Sequence, residues 1–69
     1  MELTETQKLL IRGLRLFPIS EENQEAVFLF LFKSEEKMWE MMDFLAENKE
    51  ATEQQIMKKL TDILKKKAD

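Results

Sequence analysis

Four times in this chain a hydroxyl side chain is followed by acids or an amide, although the sequence contains only one glycine and one proline. The positions are Thr4 with Gln7, Ser20 with Glu21, Glu22 and Glu25, Ser34 with Glu35 and Glu36, and Thr52 with Gln55. Each has the chemistry of a helix start. The hydroxyl oxygen accepts an orphan N–H of the first turn, the acids sit in the positive end of the helix dipole, and a glutamine at the third position reaches back to complete a capping box. With so few helix breakers, the segments between these starts are expected to be helical and the linkers short. The expected fold is therefore all-α, a compact bundle of four short helices forming a single domain over residues 1–69.

The first helix is expected from about Glu5 to Arg12 or Leu16, with Leu3, Leu10, Leu14 and Phe17 on one face and Ile11 beside them. Leu9 and Leu16 point elsewhere, and Gly13 is a candidate αL terminus. Pro18 breaks the chain and Ser20 restarts it. The second helix, to about Lys33, carries Ala26-Val-Phe-Leu-Phe-Leu-Phe32, which has no polar side chain in a chain that is 36% charged. Seven residues fall far short of the roughly 20 that cross a bilayer, so this run has to be covered by protein. It reads as a helix buried on all sides and central to the bundle. The alternation of Phe and Leu also suits a buried strand, but no second β-rich run exists to pair with it.

In the third helix, Met38, Met42 and Leu45 form a stripe widened by Trp39, Met41 and Phe44, with Glu36, Glu40, Asp43 and Glu47 along a wet edge. The fourth starts at the Thr52–Gln55 capping box with Ala51 stapled to Ile56, and buries Ile56, Leu60, Ile63 and Leu64. Lys65, Lys66 and Lys67 crowd its end, where cations complement the dipole and the last residues are expected to fray. The third and fourth helices are expected to form an antiparallel hairpin.

Composition removes several classes of chemistry. Without Cys no disulfide framework is possible, and without His as well the usual zinc and transition-metal ligand sets cannot be assembled, so no metal and no cofactor is expected. No catalytic residue stands out. The acidic pairs Glu21/Glu22 and Glu35/Glu36 lie at helix starts, where capping accounts for them, and a nucleophile would lack His, Cys or Tyr as its activating base. A phosphate-cradling loop needs spaced glycines, and Gly13 stands alone. The chain is expected not to be an enzyme. No charged segment, apolar stretch and small-residue cleavage site open the sequence, and the expected setting is the cytoplasm, with no membrane partner.

Two kinds of contact remain. Met38, Met42 and Trp39 are candidates for contact with a protein partner, since thioethers repack readily and Trp anchors interfaces, although core filling is the favoured reading of the Met residues and a half-buried core Trp explains Trp39 about as well. Gln54, Gln55, Lys58 and Lys59 would face the major groove if the last two helices were a helix-turn-helix. Charge argues against nucleic acid: the net charge is −3, no Arg follows Arg15, and Glu53 and Asp62 share the candidate recognition helix. By segment the charge is +1 over residues 1–19, −3 over 20–32, −3 over 33–50 and +2 over 51–69, a pattern that favours head-to-tail or antiparallel contact between copies.

The stretch Met41 to Leu60, MMDFLAENKEATEQQIMKKL, resembles that in short uncharacterised helical proteins of bacterial mobile-element type. The resemblance implies a bacterial all-helical protein with no assigned activity. The sequence itself assigns no activity. The reading it favours is a non-enzymatic helical protein–protein interaction module whose partner is another protein or a second copy of itself, the latter as a homodimer closing over apolar surface that a short bundle leaves bare. The alternative is a small helix-turn-helix DNA-binding or accessory regulatory protein.

Overall fold

All four starts make their hydrogen bonds. Thr4 Oγ1 accepts from the Gln7 backbone N–H at 3.1 Å while Gln7 Oε1 accepts from the Thr4 N–H at 2.9 Å. Thr52 and Gln55 repeat this exchange at 3.2 and 2.9 Å. Ser20 Oγ accepts from Asn23 N–H and Ser34 Oγ from Lys37 N–H. In this computed structural model, which describes residues 2–65, the resulting helices are α1 (Glu5–Leu14), α2 (Glu21–Leu31), α3 (Glu35–Glu47) and α4 (Glu53–Lys65). Among the described residues there is no strand. The expected clustering of Lys66 and Lys67 and the fraying of the last residues lie outside the described residues.

The helix ends are local events too. Asn48 closes α3 with both its backbone N–H and its side-chain amide donating to Phe44 O at 2.9 Å. After α1 the chain tightens, with Leu16 N–H donating to Gly13 O and Phe17 N–H to Leu14 O, before Pro18. Gly13 does not take the αL conformation its position suggested. Among the described residues none has positive φ, and Gly13 lies inside α1 as an ordinary helical residue, because the 3₁₀-like turn after it supplies the stop.

The core runs through all four helices: Leu10 and Leu14 of α1, Val27 and Leu31 of α2, Met38, Met41 and Leu45 of α3, and Ile56, Leu60 and Ile63 of α4, with Ile19 and Ala51 from the linkers. The radius of gyration, 11.2 Å, matches the roughly 11 Å expected of a fully collapsed chain this long. The broadest pairing is α1 on α3. The chain then turns back from α3 to α4, so that Lys59 lies beside Glu40 at 3.9 Å and over the Phe44 ring at 5.7 Å.

The second helix departs from expectation. Val27 and Leu31 are fully buried and Phe28 and Phe32 pack at the edge of the core, their rings stacked at 5.3 Å, but Leu29 is 70% and Phe30 51% exposed. It is therefore not buried on all sides. It rests on α4 and α3 while α1 commits its own apolar face to α3, so no neighbour covers the outer side of α2. A helix apolar around its whole circumference does not select which side faces the core, and three short neighbours cannot enclose it.

Candidate functional site

The junction between α1 and α3 is not packed flush. Leu9, Leu16 and Phe17 on one side and Trp39, Met42 and Ala46 on the other wall an open groove of about 520 Å³, with Gly13 on its floor and Asp43 and Lys49 at its edge. Its large side chains are held out to solvent. Leu16 is 85%, Leu9 45% and Trp39 44% exposed, whereas Met42 is half-buried. A concave apolar surface rimmed by charge makes this groove the candidate site.

Gly13 bears on how deep the groove is. A β-carbon placed there would meet nothing within 4 Å, and the backbone is right-handed helix, so neither packing within the chain nor conformation calls for glycine. In a helix interior glycine is less favourable than alanine by about 0.5–1 kcal/mol. What it does provide is a floor on which an incoming side chain can reach the α1 backbone.

Arg12 is exposed and lies one turn from both Leu9 and Leu16, which line the groove, although it is not itself part of the lining. Among the described residues neither Arg12 nor Arg15 takes part in an ion pair, whereas Lys8 pairs with Glu5 at 3.7 Å. The outer face of α2 is the counterpart in sign. Ala26, Leu29 and Phe30 follow i, i+3, i+4 spacing, with Glu22 and Glu25 toward the start of the helix and Lys33 beyond its end.

Of the residues singled out for partner contact, Trp39 and Met42 line this groove, but Met38 does not. It is 2% exposed and belongs to the core with Met41, which makes it core filling. Gly13, Leu9, Leu16, Phe17 and Ala46 were missed by reading the sequence. A signal was present, since Leu9 and Leu16 are seven residues apart, a heptad step that puts them on one side of the first helix and away from its core face.

The α4 residues are held differently. Gln54 and Lys58 are exposed, while Gln55 is engaged in its capping box and Lys59 in its contacts with Glu40 and Phe44. Gln55, Lys58, Lys59 and Asp62 share a shallow depression with Phe44 and Asn48. Glu53, at the start of α4, ties two helix starts together: its Oε2 accepts from Ser20 N–H at 2.9 Å and from Asn23 Nδ2 at 2.6 Å. The Ser20 backbone N–H, then the Asn23 amide and the Ser20 hydroxyl, hold its carboxyl below the ordinary glutamate range.

Among the described residues no three His, Cys, Asp or Glu side chains are grouped to hold a metal ion, and no helix is long and apolar enough to cross a membrane. In comparisons with known proteins the chain matches no family model, no curated protein and no solved structure.

Proposed function

We propose that this chain is a non-enzymatic interaction module that binds another protein, or a second copy of itself, by receiving a helix in the groove between α1 and α3. The observation that carries the reading is the groove itself: apolar walls that include Leu9, Leu16, Trp39 and Met42, a glycine floor that nothing within the chain requires, and charges confined to the rim. Helix-in-groove recognition needs this arrangement, with apolar anchors buried along the groove and charge at its edge. In a self-associated form α2 would become the central helix, since its exposed Leu29 and Phe30 would then be covered. A bacterial origin of mobile-element type and a cytoplasmic setting belong to the same proposal.

A DNA-binding or accessory regulatory role is the second reading, and the exposure of Gln54 and Lys58 on α4 favours it. Two features weigh on the other side. Lys59 is engaged with Glu40 and Phe44, and Asp62 lies in the same depression, so the face offers a phosphate backbone little uncompensated positive charge. A gel shift against mixed genomic fragments at low and moderate salt separates the two. The expected result is no retardation. Tight, salt-sensitive binding abolished by Lys58→Glu with Lys59→Glu would replace the interaction module with the DNA-binding reading.

A further inference from the structure

The molecule carries two apolar surfaces that share no residue: the groove between α1 and α3, and the outer face of α2, where Leu29 is 70% and Phe30 51% exposed and Leu29 borders a shallow depression with Phe28 and Phe32. We infer that they fit each other, so that the outer face of α2 in one copy seats in the α1–α3 groove of a second copy. The inference rests on the interaction-module reading and names its occupant.

Charge selects this occupant. From Thr6 to Ile19 the chain bears Lys8, Arg12 and Arg15 and no acid, and from Ser20 to Phe32 it bears Glu21, Glu22 and Glu25 and no base. Among the described residues none of Arg12, Arg15, Glu21, Glu22 or Glu25 is used in an ion pair within the chain. Laid in the groove, an α2 helix would bring Glu22 and Glu25 to pair with Lys49 at the edge or with the exposed Arg12 of α1, and Lys33 to pair with Asp43. Opposite charge at the rim orients the docked helix and speeds encounter.

Shape agrees. Ala26, Leu29 and Phe30 give the i, i+3, i+4 anchors of a helix laid in a groove, and the small Ala26 lets the two backbones approach. Gly13 opens the floor beneath the anchors, which accounts for a glycine that the isolated chain does not need. Because the two faces differ, the contact is heterologous, and copies form either a reciprocal pair or a head-to-tail chain according to whether the rotation closes.

Leu29→Glu spoils the outer face of α2 and Gly13→Leu fills the groove; Leu29 is exposed, and a β-carbon at Gly13 would meet nothing within 4 Å. Sedimentation of the whole chain over the micromolar range is expected to show self-association in the wild type, weakened by roughly tenfold or more in each variant. An equimolar mixture of the two variants should recover a 1:1 complex, because each supplies the face the other lacks. Circular dichroism establishes that the variants are folded. If Leu29→Glu loses helix, the exposed double change Glu22→Lys with Glu25→Lys takes its place in the same mixture. A wild type that stays monomeric, an association unaffected by Gly13→Leu, or a mixture that recovers no complex each overturns the inference. A monomer that also ignores DNA removes only the self-docking, whereas DNA retardation abolished by Lys58→Glu with Lys59→Glu removes the interaction-module reading whatever sedimentation shows.

Discussion

Helices α2 and α4 have similar lengths and opposite relations between pattern and burial. In α4 the apolar residues Ile56, Leu60 and Ile63 recur on one stripe, and all three are buried, whereas Leu64, expected to be buried with them, is exposed at the stripe's margin. In α2 the run from Ala26 to Phe32 is apolar throughout, yet only Val27 and Leu31 are buried while Leu29 and Phe30 face solvent. A stripe carries a direction and a uniformly apolar surface does not. The most hydrophobic segment was thus the poorest guide to its own orientation, and it leaves Leu29 and Phe30 exposed.

The sharpest test of this contrast lies within α2 itself. Leu31→Ala is expected to lower stability by about 2–5 kcal/mol through lost transfer energy and a cavity, much as Ile56→Ala in α4 should, since both side chains are fully buried. Urea denaturation followed by circular dichroism measures it, and in so small a domain such a loss should leave much of the population unfolded. A Leu31→Ala effect below about 1 kcal/mol would mean that α2 has no fixed inner face.

Capping tests whether α4 is as self-specified as its pattern implies. Thr52→Ala removes the acceptor of the Gln55 N–H and is expected to lower stability by about 1 kcal/mol, measured in the same way. Gly13→Ala should act in the opposite direction, stabilising the chain by about 0.5–1 kcal/mol, because the site is helical and open. A destabilising Gly13→Ala would show that the groove closes over its floor in solution.

Glu53 links the two compared helices, and its effect depends on pH. Its carboxyl is held low in the folded chain, so the stability it supplies is present above the ordinary glutamate pKa, roughly 4.3, and is lost as pH falls through the lowered folded value. Glu53→Gln should therefore be less stable than wild type near neutrality, with the gap narrowing below roughly pH 4 in melts recorded across that range. A gap that widens on acidification would contradict the hydrogen bonds from Ser20 and Asn23. The smallest expected effect is that of Leu29→Ala, within about 0.5 kcal/mol in the same denaturation experiment, because most of its side chain is already in water.

What could be read without coordinates was what neighbouring residues decide among themselves. Thr4, Ser20, Ser34 and Thr52 start helices because their oxygens reach an N–H three residues on, and the 3.6-residue repeat marks Leu10 with Leu14 and Ile56 with Leu60 as inner faces. Part of the candidate site was legible on the same basis: Trp39 and Met42 flank the α3 seam. Their partner wall was not, because it comes from α1, and nothing in the spacing of Leu9, Gly13 and Leu16 reveals that α3 will lie alongside. Nor does the spacing within α2 decide that Leu31 turns inward and Leu29 outward.

The sequence by itself determined four helices, where each begins, and a charge that changes sign between the first segment and the second. Tertiary structure alone decided that α1 pairs with α3, that Met38 is core while Trp39 is surface, that Glu53 of α4 accepts from Ser20 before α2, and that Gly13 floors a groove. The physical reason is range. Caps and helical periodicity are satisfied within about one turn of chain, whereas burial depends on which surfaces far apart in sequence exclude water together, and a segment apolar on every side leaves that choice open.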